Sequence, residues 1–433
     1  MLDFNEKLLQ FIWQSRLIKA QTLFTTSGNE VVIIKTGTLN TDAGPDFFNG
    51  QIRLNGLILA GNIELHLKTS DWLKHGHQHN KSYDNIILHV VYAHDLNLAQ
   101  NTNNAVEVLE LKNYIPEPAI KMYQKLITSV ERLPCASQLK HVNDLKFIGW
   151  MERMAVERLE EKTKRIEQVF TSFNNDYTQT FYSVLMRNFG FKVNGLPFEL
   201  ISKHLPISIL LKHADNLLQL EALLFGVSGL LEDQFKDKYV QSLQNEFAHL
   251  KNKYAITVLQ KELFKFSRLR PANFPTVRLA QFAALIHAHP ELFVNPQFFT
   301  DQGYLKIILK TVLQGYWSKR YLPDGKILSR NLVVGENAAE NIIINTMAPF
   351  FFFYSKKLLK PQFAELAIKL LEHSSFENNF KTRLFVNKRS LLKTGADSQA
   401  IVNLYDNYCI AKQCLKCGIG SNLLNAPAAI RSL

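Results

Sequence analysis

The 433-residue chain has room for two or three domains and a substantial core, and its 46% hydrophobic content excludes a disordered polymer. Phe is abundant at 30 and Pro sparse at 14, which suits a helix-rich interior. A formal net charge of +12 admits an anionic partner, and four cysteines in so long a chain argue against a disulfide framework.

The chain opens on LDFNEKLLQFIWQSRLI, which lacks the basic start, long apolar core and small-residue cleavage site of a signal peptide. Residues 3–18 read as an amphipathic helix, with Leu8, Leu9, Ile12, Trp13 and Leu17 in one stripe and Glu6 off it. Residues 22–35 alternate as a hairpin, TLFTT and EVVIIK around a Ser-Gly-Asn turn. Further strands are expected at 46–54, 57–68 and 84–93, with a shorter one near 105–111.

Chemistry concentrates between Asn40 and Tyr92. Gly44, Pro45 and Asp46 form a turn signal ahead of the alternating run FFNGQIRL. The next run, LILAGNIELHLK, places Glu64, His66 and Lys68 on one strand face, because side chains there repeat every two residues. An acid at the start of one strand and an acid on the next can share a divalent cation, Mg²⁺ or Mn²⁺, which can activate water. The competing reading is a plain turn at Asp46 and the solvated face of a half-buried sheet at Glu64.

His75, His77 and His79 come next, with His66 and His89 nearby, and imidazoles suit Zn, Mn or Fe better than Mg. Extended chain would put the first three on one face, whereas Gly76 signals a turn. Asp71 reads as a helix cap.

From about Ile120 the pattern becomes helical. The segment 142–172 spaces its apolar residues by three and four, and similar patterns continue to residue 411 without sustained strand alternation. The longest apolar run, Met347 to Tyr354, is too short to span a bilayer, so a soluble cytoplasmic protein is expected. The fold class is α+β: an N-terminal helix and mixed sheet over residues 1–118, then a helical domain over 119–433.

Three later segments carry marked residues. Cys409, Cys414 and Cys417 have ligand-like spacing, and Cys135 is available as a distant fourth for zinc or an iron–sulfur cluster. The alternative is an ordinary helix end with CLKCGIG as its cap. In SRLRPANFPTVR, Arg268, Arg270 and Arg278 could fork to phosphates from a rigid loop or simply tie two helices together. Tyr316, Trp317, Lys319 and Arg320 form an aromatic–basic patch able to stack bases. No Walker loop, dinucleotide fingerprint, GxSxG elbow or HExxH is present, which removes the usual support for nucleotide hydrolysis, hydride transfer and common hydrolase chemistry.

The combination of GPDF, GNIELHLKTSDWLKHGH, YDNIILHVVY, RLRPANFPTVRLAQ and YCIAKQCLKCGIG resembles a bacterial family of unknown function over nearly the whole chain. The N-terminal order also resembles the PD-(D/E)XK nuclease superfamily, whose fold is restriction-endonuclease-like. That resemblance makes Pro45-Asp46 the first motif and Glu64 the second acid, 18 positions on. It offers Glu6 as the acid of the first helix. His66 stands where that superfamily has Lys, and Lys68 is the next residue on the same face. Some of those nucleases carry an iron–sulfur cluster on one remote and three clustered cysteines.

The resulting expectation is metal-dependent cleavage or binding of DNA or RNA, with Asp46 and Glu64 as metal ligands and His66 and Lys68 assisting. Its alternative is a non-catalytic scaffold on a degenerate nuclease-like fold.

Overall fold

The computed structural model describes residues 4–98, 106–386 and 388–426. The first helix, α1 (Glu6–Gln14), is capped by Asn5, whose side chain accepts from the Leu8 N–H, and buries Leu8, Leu9, Phe11, Ile12 and Trp13. It stops short of the expected residue 18 because Arg16 takes a left-handed conformation (φ 49°). Leu17 still reaches the core from the turn after the helix.

Among the described residues, seven strands form one mixed sheet: β1 (Leu23–Phe24), β2 (Glu30–Lys35), β3 (Thr38–Leu39), β4 (Phe47–Leu54), β5 (Leu57–Lys68), β6 (Ile86–Ala93) and β7 (Val108–Glu110). Their order is β1-β2-β4-β5-β6-β7, with β3 beside β4. The pairs from β1 to β5 are antiparallel, and β5-β6 and β6-β7 are parallel. Asn55 and Gly56, with φ of 46° and 87°, make the two-residue turn that joins β4 to β5. Positive φ at both positions matches the twist of the flanking strands.

The parallel β5-β6 pair dictates the path of the chain between them. Two parallel neighbours cannot be joined by a tight turn and need a crossover of a dozen or more residues. Residues 69–85 supply it, with α2 (Asp71–Lys74) and the short helical turns His77–His79 and Lys81–Tyr83. A crossover must pass over one face of the sheet, so the histidine-rich segment returns onto β5.

The remainder is helical. After α3 (Glu117–Thr128) comes α4 (Asp144–Ser172), and helices then succeed one another to Gly418–Asn425. Lys238–Tyr254 ends where Ala255 turns left-handed, and a single helical turn follows at Lys261–Leu263. The chain divides into two compact units. One holds Met1–Trp150, Leu384–Arg389 and Leu404–Leu433; the other holds Met151–Arg383 and Ser390–Asn403. The second has a continuous apolar core that includes Phe181, Phe189, Phe225, Phe282, Phe293 and Phe350. Among the described residues, no helix is long and apolar enough to cross a membrane.

Candidate metal centre

The turn signal at Gly44-Pro45-Asp46 is a turn, and it delivers an acid. Gly44 takes a φ of 108°, and the Asn40 side chain donates to the carbonyls of Asp42, Ala43 and Pro45. The Asn40 N–H donates to the Asp46 carbonyl, so the loop closes on itself just before β4. Since Phe47 pairs with Ile63, Asp46 lies beside Glu64 on the neighbouring strand. The Asp46 N–H donates to Glu64 Oε2 at 3.0 Å, and Asp46 Oδ2 accepts from the Leu65 N–H at 3.0 Å. Gln10, one turn after Glu6 on α1, donates to Asp46 Oδ1 at 2.9 Å.

The half of β5 that carries these groups is not a solvated face. Glu64 is 5% exposed and His66 1%, against the alternation expected of a half-buried sheet. The tertiary reason is that this strand lies between β4 and β6, while α1 and the crossover pack on it. Buried polar groups need partners, and here they find one another.

His66 Nε2 lies 3.1 Å from His75 Nδ1, 3.3 Å from His77 Nε2 and 3.5 Å from Glu64 Oε1. His77 Nε2 is also 3.3 Å from the same Glu64 oxygen. One ring nitrogen can make one ordinary hydrogen bond, either donating its proton or accepting with its lone pair. Three partners around His66 Nε2 therefore cannot all be satisfied by hydrogen bonding. Four donors that each sit 2.0–2.1 Å from one ion at tetrahedral angles would lie about 3.3 Å apart, close to the spacing of these four contacts. The three imidazole nitrogens all lie within 4.8 Å of one another.

A second layer holds this group. His66 Nδ1 is 3.0 Å from His89 Nε2, and His89 is fully buried. Parallel pairing sets Glu64 opposite His89, which places that ring behind the first. Such a partner fixes the orientation and tautomer of a ligating imidazole. Tyr83 stacks on His77 at 3.8 Å between ring centroids, and Trp72 packs against His77, Tyr83 and His89.

Burial and mutual crowding set the charges. Burial pushes Glu64 up to about 8, with Asp46 adding to it. Burial pushes Asp46 up to about 6, and burial with Asp46 and Asp71 nearby pushes Glu6 up to about 7. His66 is pushed down to about 3 and His77 to about 4, chiefly by burial and then by neighbouring imidazoles. Neutral imidazoles present lone pairs, the form a metal binds. A divalent ion would offset the mutual repulsion of the crowded acids.

The other marked residues take different positions. Lys68 lies at the exposed end of β5. Asp71 is the first residue of α2 rather than its cap, accepting from the Lys68 N–H and pairing with Lys74. His79 is exposed, and Gly76, at φ 72°, breaks the extended path that would have aligned it with His75 and His77. Sequence patterning does not single out Gln10, Trp72 or Tyr83. Only Gln10 carries a usable signal, its four-residue spacing from Glu6 on one helix.

In the second unit, Arg268 and Arg270 are exposed. Arg278 is not free to fork to phosphate, contrary to that expectation. It is 5% exposed, donates to Gln281 Oε1 and Asn273 Oδ1, and lies over the Phe191 ring at 4.5 Å. The aromatic patch expected to stack bases is also packed inward: Trp317 is fully buried and stacks on Phe225 at 4.5 Å. Cys135, Cys409, Cys414 and Cys417 border a common cavity in the first unit.

Comparison with known proteins adds a family and no activity. The family model described as "Protein of unknown function (DUF2851)" matches residues 6–380, and the chain belongs to that family. No curated protein and no solved structure matches the chain.

Proposed function

We propose that this member of a family of unknown function is a metal-dependent hydrolase acting on nucleic-acid phosphodiesters. Glu64, His66, His75 and His77 would hold a divalent transition metal, with Asp46 and Glu6 beside it. The observation that carries the reading is the convergence of the His66, His75 and His77 ring nitrogens within 4.8 Å of one another, with Glu64 Oε1 at 3.5 and 3.3 Å from two of them. The donor set favours Zn²⁺ or Mn²⁺ over Mg²⁺, because imidazole nitrogens suit the former and Mg²⁺ prefers oxygen and water. Such an ion lowers the pKa of a bound water and offsets charge developing on a phosphoryl oxygen.

The chain's own residues account for the rest of the site. His89 holds His66 in orientation, the Asp46 N–H holds the Glu64 carboxylate, and Gln10 and the Leu65 N–H hold that of Asp46. Asp46 and Glu6, with pKa values near neutrality, are placed to accept or return a proton. The formal charge of +12 supports a polyanionic substrate over a neutral one.

The test is cleavage of single- and double-stranded DNA and RNA with Mn²⁺, Zn²⁺ or Mg²⁺, comparing the native chain with Glu64→Gln and His66→Ala. Metal-dependent cleavage lost in both variants, with salt-sensitive binding retained, is the expected result. Binding without cleavage in any chain would favour a scaffold. Cleavage that survives both substitutions would place the active centre elsewhere.

A further inference from the structure

The chain contains four cysteines in all. Although Cys135 is separated from the other three by most of the sequence, all four border one cavity, together with Leu126, Pro134, Tyr408 and Gly420. All four are free thiols. Cysteines used only as small apolar residues have no reason to meet, because Val or Ala would serve each position equally well.

The backbone around them is built for sulfur. The Cys417 N–H closes a turn onto the Cys414 carbonyl at 3.3 Å, bringing the two ends of the C-x2-C segment together. Gly420 is required by this turn: a Cβ there would lie 2.1 Å from the Cys414 carbonyl oxygen. Gly418 lets the loop close against Trp150, whose ring a Cβ would meet at 2.5 Å.

We infer that Cys135, Cys409, Cys414 and Cys417 form a four-thiolate centre for a thiophilic metal, either one zinc ion or an iron–sulfur cluster. Four protein ligands leave no open position, which marks a structural rather than a catalytic site. Coordination by four thiols releases their protons and ties the segment 404–426 to residues 119–150 within the first unit. The centre is separate from the imidazole–carboxylate group and does not depend on it.

The experiment uses the full-length chain, purified anaerobically without added metal. Zinc and iron are quantified, and the visible absorption is recorded for the native protein, for Cys414→Ser/Cys417→Ser and for His66→Ala/His77→Ala. The cysteine variant is expected to lose the zinc equivalent, or the whole of the iron, that the histidine variant retains. A colourless zinc protein and a brown iron–sulfur protein identify the two occupants.

A misfolded cysteine variant would lose metal for a trivial reason, so a second measurement uses the native chain alone. Reduced protein, chelated until metal-free, is titrated with Co²⁺. Intense thiolate-to-cobalt charge-transfer absorption is expected, which imidazole and carboxylate ligands do not produce. Absence of that absorption, with no iron–sulfur absorption in the protein as isolated, overturns the proposal.

Discussion

The Asp46 N–H donates to Glu64 Oε2 while the Asp46 carboxylate accepts from the Leu65 N–H, both at 3.0 Å. This reciprocal pair joins a loop acid to a strand acid before any ion is present. It also frees Glu64 Oε1 to face His66 and His77.

Metal affinity should follow distance from that oxygen. Replacing a partner that only orients a ligand costs about 10–100-fold in affinity. His89→Phe is therefore expected to weaken Zn²⁺ or Mn²⁺ binding by about that factor. Glu64→Gln and His66→Ala would remove ligands of the proposed centre and should exceed about 100-fold by the same standard. Competition against a chelating dye measures all three. Equal affinity in the native chain and Glu64→Gln would remove Glu64 from the centre.

Gly76 provides a test of positioning without loss of any ligand. Its φ is 72°, and nothing lies within 4 Å of an added Cβ, so Gly76→Ala meets backbone strain and no clash. The cost is about 1 kcal/mol of stability. Any relaxation of the turn shifts His75 against His77 and lowers metal affinity, while circular dichroism stays unchanged. Unaltered affinity would mean that the turn contributes only shape.

Arg278 and its two exposed neighbours should separate cleanly. Arg278→Ala leaves the buried Gln281 side chain without its partner and should destabilise the second unit by about 2 kcal/mol, read as a lower urea midpoint. Arg268→Ala/Arg270→Ala should leave that midpoint unchanged, since both side chains are exposed. Only the exposed pair is then eligible to change nucleic-acid binding. Weaker binding by a fully folded Arg278→Ala protein would contradict this division.

Glu221 gives the second unit a pH dependence of known sign. It is 2% exposed, accepts from the Tyr239 hydroxyl at 2.7 Å, and burial pushes its carboxyl from 4.5 up to about 7. Between those values the folded state holds a proton that the unfolded chain has released. Stability from this group is therefore complete below 4.5 and is lost as pH rises through about 7. The shift is worth about 3 kcal/mol at 1.36 kcal/mol per unit. Glu221→Gln should flatten the dependence, seen by comparing urea midpoints near about pH 5 and about pH 8. An unchanged slope would assign the dependence to other groups.

By itself the sequence determined the local order: an amphipathic first helix, a hairpin, strands at β4, β5 and β6, and helices thereafter. Each is a short-range pattern, because periods of 2 and 3.6 and the turn residues act over a few positions. It also marked Asp46, Glu64, His66, His75, His77 and the four cysteines as chemically capable residue types. What it could not decide was which of them meet. The parallel pairing of β5 with β6 is a non-local choice, and that pairing sends residues 69–85 across the sheet and sets His89 behind His66. The competing reading of the strand alternation was a wet face for Glu64 and His66, yet α1 and the crossover cover it and make burial the main cause of their shifted pKa values. Arg278 looked the same as Arg270 in one dimension. Helix packing buried one and left the other in water, because burial depends on what the rest of the chain places against a side chain and not on its neighbours in sequence.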